Sequence, residues 1–536
     1  MTGTASRGGL VLPAALLLLL AGCLLQILAG YSDPSLCGHA WGTDDAYISY
    51  RYARNLAAGE GLVFNPGERV EGFSNLLYVL LLTPAAAVVS PDRLYAVSAA
   101  LNLLLALAAL TVLHRFARRR LGPFEAGAVT VLFALCPSLW VAVASGLETP
   151  LVLLIQIGTW VLAERLVEEE DEPRRLVAGL AALAALAVLV RADGFITPAL
   201  AAVFLALRGR WRTALAVAGG ALATFGAVVL FRLSYYGWPL PNTYYAKITS
   251  TLGLRLENGW QQLLSAALGT GFAVYLAGFL LAGARGLRGL SLRRRDHAPG
   301  LPFPVVFAAG FLAYYLYIGG DVFYDRFLLF LFPMGAFLLL GLARESRRAW
   351  GPALLAVLLA AVQLVAVGTD ARFRYDLHKY DCWVLLGRAL KHQPPGSLLA
   401  VEAAGKPPYF SGLPTLDILG LNDAHIGHEK AVPRGYFRVG HAKTDLPYIF
   451  SRRPALIAVW FRDSWSLRPG PVVEPEACER EGYRLIYLLN TDQRSKGERD
   501  LLDVRGMDPD EIRRRAAASY RYGVFARMDS PRPPAR

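Results

Sequence analysis

Two adjacent carboxylates, Asp44 and Asp45, follow Thr43 in a stretch (41–75, WGTDDAYISYRYARNLAAGEGLVFNPGERVEGFSN) that comes directly after the first apolar run. Paired acids at a helix start can simply be partners of the helix dipole. They also suit proton abstraction from a hydroxyl, for which a carboxylate half-buried beneath a loop is a sensible general base. Thr43 is available as the cap. From Asp44, the spacing i+4, i+7, i+11 reaches Ile48, Arg51 and Asn55, so one helix face would carry a carboxylate, a guanidinium and an amide. Gly59 and Gly61 end that helix, and Asn65-Pro66-Gly67-Glu68 reads as a turn.

A phosphate leaving from such a site needs cations, and Arg51, Lys247 and Arg326 are the candidates. Each polar candidate has a plainer alternative. Lys247 can be an interfacial anchor beside Tyr244 and Tyr245. Arg326 can pair with Asp321 or Asp325, and Arg191 with Asp193. Glu148, in Ser-Gly-Leu-Glu-Thr-Pro, stands where a helix dipole would welcome it.

The elements that must position these residues are apolar. Of 536 residues, 54% are hydrophobic and only 18% charged, and the mean hydropathy is +0.37, the composition of a polytopic membrane protein. The net charge of +13 comes from arginines clustered between apolar runs, which reads as a topology signal and not as a nucleic-acid surface. Apolar runs fall at 10–30, 94–113, 124–144, 150–163, 176–190, 195–207, 213–231, 269–284, 302–319, 327–343 and 350–369. Their connections alternate. One set is arginine-rich: Arg115 to Arg120, Arg165 to Arg175, Arg208 to Arg212, Arg285 to Arg295 and Arg344 to Arg348. The other carries motifs: SGLET (145–149), RADG (191–194), PLPNTYYAK (239–247) and GGD (319–321). The positive-inside rule puts the arginines in the cytoplasm and every motif outside, with the acid pair.

Residues 74–90 read as a juxtamembrane or re-entrant outer-face helix broken at Pro84, lining a groove for a lipid tail; counting them as a span would invert the later arginine clusters. Eleven spans result, with the N-terminus inside and the C-terminus outside. The string Leu20-Ala21-Gly22-Cys23 resembles a lipoprotein cleavage site, but Leu24 to Ala29 continue apolar, so the first helix reads as uncleaved.

Residues 1–369 form the membrane part, with a first outer loop at 31–93, and 370–536 form a soluble α/β domain on the outer side. Ser397–Val401, Ala455–Phe461 and Arg484–Leu489 read as strands, Glu511–Ala518 as a helix and 530–536 as a disordered tail. The five cysteines match no metal spacing, no metal or cofactor is expected, and Cys382 and Cys478 could pair in an oxidising compartment. The spans hold almost no ionisable residues between their ends, which argues against an ion-coupled transporter.

DDAYISYRYARNLAAGEGLVFNPGERVEGFSN, SGLETPL, RADG, PLPNTYYAK and GGDVFYDRF together resemble the polytopic GT-C glycosyltransferases, and within them the bacterial branch that includes the mycobacterial terminal arabinofuranosyltransferase. A weaker likeness extends to Leu416–Asp423. The resemblance implies a polyprenyl-phosphate sugar donor and a glycan or lipid acceptor at the bacterial inner membrane. It makes Asp44 the base and Asp45 the residue that positions Asp44 or the acceptor, and it matches Asp321 and Arg326 to the branch's Gly-Gly-Asp and nearby Arg; Arg51, Asn55, Arg191, Asn242 and Lys247 are expected to join those two around the donor phosphate. Val-Phe-Tyr-Asp at 322–325 stands where relatives carry a Pro-Gly element, and Glu71-Gly-Phe-Ser-Asn75 replaces the HPP-like element of the lipid A aminoarabinose and protein mannosyl transferases. Glu148 and the polar loop with Asp417, Asp423 and His425 are expected to hold the acceptor. A non-catalytic lipid-head-group binder or envelope or flagellar assembly factor is the rival reading; decayed acids would be its signature, and both acids are intact.

Overall fold

The computed structural model describes residues 10–28, 42–247, 251–291, 300–321, 323, 325–346, 350–369, 382–430, 443–460, 473, 475–490, 501–518 and 521–528. Trp41, Cys37, Arg293 to Arg295, Arg347, Arg348, Val322, Tyr324 and the 530–536 tail lie outside them.

The N-terminal part is helical throughout. The acid pair opens α2 (Asp44–Ala57), which is followed by α3 (Leu76–Val88); both come after α1 (Val11–Leu28). Next are α4 (Leu94–Arg120), α5 (Pro123–Ala134), α6 (Pro137–Ala144), α7 (Thr149–Glu168), α8 (Arg174–Val190), α9 (Ile196–Leu207), α10 (Trp211–Tyr235) and the short α11 (Asn242–Lys247). The set ends with α12 (Leu252–Gly269), α13 (Phe272–Ser291), α14 (Phe303–Ile318), α15 (Leu331–Glu345) and α16 (Gly351–Thr369). Their shared core includes Trp160, which meets Phe116 and Phe337 edge-on.

Among the described residues, four helices are long and apolar enough to cross a membrane, or up to six if each bent pair is one span. The expected count of eleven is not reproduced. α8, α9, α14 and α15 have 17, 12, 16 and 15 residues, shorter than the roughly 20 a perpendicular crossing takes. The run 124–144 is two helices bent by 49°, with Pro137 starting the second.

Two further differences bear on the site. Pro84 does not break α3, which continues to Val88. The helix α12, which the apolar runs did not announce, lies at 105° to α13 and donates from Asn258 Nδ2 to the Gly319 carbonyl. It thereby braces the Gly-Gly-Asp loop.

The C-terminal part is a six-stranded sheet: β1 (Leu399–Val401), β2 (Thr415–Asp417), β3 (Leu456–Trp460), β4 (Tyr483–Leu489), β5 (Leu501–Asp503) and β6 (Tyr522–Arg527), in the order β2-β1-β3-β6-β4-β5. The strands β2, β1 and β3 are parallel and the rest antiparallel. The expected strands are β1, β3 and β4, and the expected helix is Pro509–Ala518. Cys382 belongs to the apolar layer with Trp383 and Tyr522, and Cys478 to a separate one with Ile426 and Phe525. Both are buried in these separate layers, and the possible disulfide between them is not formed.

Candidate active site

The two acids of α2 point to different neighbours, because successive helical residues are rotated by about 100°. Asp44 faces the sheet domain. Its carboxylate accepts from the Lys406 backbone N–H at 2.6 Å and the Gly405 N–H at 3.1 Å, at the start of a short helix, Lys406–Ser411. Lys406 is buried and donates from Nζ to the Gly42 carbonyl. A Cβ on Gly405 would sit 1.9 Å from the Asp44 carbonyl oxygen, so glycine alone permits the approach. Burial pushes the Asp44 carboxyl up to about 7, against the pull of those two amides. Thr43 is the N-cap by position, but its hydroxyl donates to the Ser145 carbonyl and not to α2.

Asp45 faces the motifs. Burial raises its pKa, opposed by Lys247 and Arg326 and reinforced by Asp321 and Glu148. Those charges are mostly matched. Arg191 donates to Asp193 at 2.7 Å and to Glu148 at 2.8 Å. The second Glu148 oxygen accepts from Asn75, and Asp193 also accepts from Tyr314. Arg326 pairs with Asp321 at 2.7 Å and lies over the Phe323 and Phe327 rings. Although burial disfavours their ionised forms, Arg191 and its neighbours hold Glu148 and Asp193 below the ordinary carboxylate range. Lys247 is different. Burial lowers its pKa, Asp45 works the other way, and among the described residues neither group makes a hydrogen bond or ion pair. A carboxyl group and an amine thus face each other more than 4 Å apart.

Beside this cluster a cleft between α7, α8, α9 and α14 is lined by the charged Arg191, Asp193 and Arg326 and by the apolar Val152, Ile155 and Phe311. Charged and apolar lining together match a phosphate carried on a lipid. The segment 74–90, expected to line the lipid groove, contributes nothing to this cleft. Its helix instead leaves Leu80, Leu81 and Val88 exposed.

Several expected site residues are employed in holding the two parts together. Arg51 is buried and spends its guanidinium on the Phe64, Pro408 and Leu413 carbonyls and the Asn65 side chain, so it is not free for phosphate. Asn55 donates to the Val63 and Phe64 carbonyls. Asn242 donates to the carbonyls of Gly420, Leu421 and Asp423, clasping the sheet domain. Asp417 is fully buried and accepts from Leu419 and Asn422, so its oxygens are matched within the domain. Asp423 caps the Ala424–His428 helix and accepts from Tyr448. His425 is exposed, pairs with Asp445 at 2.8 Å and stacks on Tyr448. With Glu429 these two bring ligand atoms within 4.8 Å of one another, a group that cysteine spacing could not announce.

Unanticipated from sequence is the buried Glu71–Arg232 pair, joined at 2.8 and 3.0 Å, which ties the first outer loop to the end of α10. Gly405-Lys406-Pro407-Pro408 offered one readable signal, since proline in the first turn marks a helix start.

A family model described as Domain of unknown function (DUF8728) matches residues 372–519. In sequence the chain is similar to the terminal β-(1→2)-arabinofuranosyltransferase of Mycobacterium tuberculosis, 32% identical over 39% of this chain and 35% of that one. The enzyme of the same name from Corynebacterium glutamicum is 30% identical over 56% of this chain and 47% of that one. The matched region therefore spans only about a third to a half of these relatives' length. In structure it is similar to ArnT from Cupriavidus metallidurans bound to undecaprenyl phosphate, with a TM-score of 0.56, 12% identity, and coverage of 98% of this chain and 100% of that one. The chain is a multi-pass membrane protein with the GT-C fold, and its sequence resembles the terminal arabinofuranosyltransferases.

Proposed function

We propose that this chain moves a sugar, an arabinofuranose in the first instance, from a polyprenyl phosphate to a hydroxyl of a cell-envelope glycan or lipid. The reaction takes place on the outer face of the bacterial inner membrane, with the N-terminus cytoplasmic and the C-terminal domain outside. The observation that carries the reading is Asp45 facing Lys247, neither of them paired among the described residues, beside the matched Arg191, Glu148, Asp193, Arg326 and Asp321.

The donor phosphate lies between Lys247 and Arg326, of which Arg326 lines the cleft, and its lipid follows the cleft's apolar residues. Asp45 takes the proton of the acceptor hydroxyl, whose oxygen attacks the anomeric carbon. The bond from that carbon to the phosphate oxygen breaks, the electron pair leaves with the phosphate, and the cations hold the charge. Base and leaving group stand on opposite sides of the sugar, so one displacement inverts the anomeric centre. The gap between Asp45 and Lys247 is what such a sugar needs, whereas Asp44 is turned to the sheet domain and already accepts two amides. The base role that the resemblance assigned to Asp44 therefore passes to Asp45 in this proposal.

The test is transfer by purified protein in lipid nanodiscs, from decaprenyl-phosphate arabinofuranose to a methyl arabinofuranosyl disaccharide. Product is read by mass and its new linkage by NMR. Transfer of a different sugar from the same lipid class changes the sugar and keeps the mechanism. Failure with every polyprenyl-phosphate sugar overturns the proposal.

A further inference from the structure

Three rings meet where α11 touches the sheet domain. His428 stacks on Trp238 at 4.0 Å and 29° and against Tyr245 at 4.3 Å and 33°, and Trp238 and Tyr245 are 5.7 Å apart. Tyr244 stands edge-on to Tyr245 at 5.5 Å. Trp238 is 46% exposed and Tyr244 42% exposed, a costly way to leave two large rings unless something covers them. The His428 Nε2 is buried without a hydrogen-bond partner among the described residues, a deficit a hydroxyl entering beside the rings would relieve.

From this arrangement we infer that Trp238, Tyr244, Tyr245 and His428 form the platform on which the acceptor's sugar rings lie. The inference rests on the proposed transfer and names a subsite for it. Flat aromatic faces suit the apolar face of a neutral sugar, and Trp and Tyr combine an apolar ring with a polar edge. The platform is also in the right place. Tyr244 is three residues from Lys247 on the same short helix, the spacing that shares a face, and Lys247 is the cation facing the base.

The competing occupant is the bilayer interface, where Trp and Tyr also gather. Against it stands His428, which belongs to the sheet domain and not to an apolar helix, yet forms the centre of the cluster. Asn242 fixes that join by donating to three carbonyls of the domain.

Two measurements with the full-length protein in nanodiscs test the platform. In the transfer assay, Trp238→Ala should raise the KM for the methyl arabinofuranosyl disaccharide on the order of tenfold, the scale of one lost aromatic contact. The donor-lipid KM and kcat should stay near wild type, and Trp238→Phe should recover most of the loss. In saturation-transfer NMR the disaccharide signal should be present with wild type and fall in Trp238→Ala and Tyr244→Ala. Equal rises in both KM values, or lost thermal stability with unchanged acceptor KM, would mark an interfacial anchor and overturn the inference. Should Trp238→Ala fail to fold, Tyr244→Ala and Trp238→Phe give the same comparison. Trp238-dependent NMR signal without any transfer would keep the platform and reject the proposed reaction. Transfer that is indifferent to these rings would do the reverse.

Discussion

Asp45→Asn should cut transfer by about 10²–10⁴-fold, the usual cost of losing a general base, while leaving fold and donor binding intact. The swap keeps shape but removes the basic oxygen, and among the described residues Asp45 has no protein hydrogen bond to lose. Asp44→Asn should act elsewhere. Asp44 takes the Lys406 N–H at 2.6 Å and the Gly405 N–H at 3.1 Å, and an amide side chain offers one acceptor oxygen where the carboxylate offers two. Losing one charge-assisted bond costs roughly 1.5–3 kcal/mol, partly offset because burial already disfavours the Asp44 charge. A net loosening of about 1–2 kcal/mol corresponds to no more than a roughly fivefold to thirtyfold effect. The assay is initial transfer rate at saturating donor, paired with hydrogen exchange of the 405–411 amides, which should quicken in Asp44→Asn and not in Asp45→Asn. Burial raises the Asp45 carboxyl, so it stays protonated to a higher pH than an exposed one, and the acid limb of kcat should lie above that of an ordinary exposed carboxylate. Activity then rises with pH through that limb, and the limb should vanish in Asp45→Asn. A dead Asp44→Asn beside a near-wild-type Asp45→Asn would refute the assignment and return the base to Asp44. Wild-type rates in both would remove general-base catalysis from α2 altogether.

Other consequences follow from single contacts. Glu71→Gln leaves Arg232 buried without its countercharge and should destabilise by about 3–5 kcal/mol, read as a lower thermal midpoint in nanodiscs. Gly405→Ala drives a methyl into the Asp44 backbone and should separate the sheet domain from α2, seen as faster exchange of the 405–411 amides together with lower transfer. Lys247→Gln should weaken binding of undecaprenyl phosphate on the order of tenfold without lowering the thermal midpoint, whereas a mere anchor would lower the midpoint and spare binding. A reporter fused after the last residue should read outside, and fusions after Arg120 and Arg212 should read cytoplasm; a cytoplasmic C-terminal fusion ends the outer-face reading.

What could be read from the sequence was whatever depends on local spacing or on composition. The α2 start, the turn at 65–68 closed by Glu68 donating to the Asn65 carbonyl, and the strands at 399, 456 and 483 come from near neighbours. The Arg191–Asp193 and Arg326–Asp321 pairs were likewise within reach, as the plainer alternatives for those residues. The spans proved harder, because hydropathy marks an apolar stretch without saying whether the helix bends. It bends at Leu135–Cys136 and runs on through Pro84. The contacts of Arg51 and Asn242 were beyond local reasoning, since each is set by a partner the spacing does not name. Arg51 reaches Pro408, 357 positions away, and Asn242 reaches Gly420, 178 away. A polar residue beside a motif looks catalytic until its carbonyl partners are known, and buried carbonyls are the commonest partners a folded chain offers.

The acid pair shows the limit most sharply. Sequence gives two adjacent carboxylates at a helix start, and any helix turns them about 100° apart, so at most one can face a given site. Which one does is decided by the sheet domain. It brings the Gly405 and Lys406 amides to Asp44 across 361 and 362 positions of chain, and Gly405 is the residue small enough to let them arrive. Once Asp44 is turned to the domain, the other acid is left among Lys247, Arg326 and Glu148. In the proposed mechanism the domain, by occupying one carboxylate, leaves the other as the base. In this architecture, detaching the domain should disturb the base as well as the acceptor subsite. A chain truncated near residue 375 would then lose transfer even with an acceptor too small to reach the sheet domain.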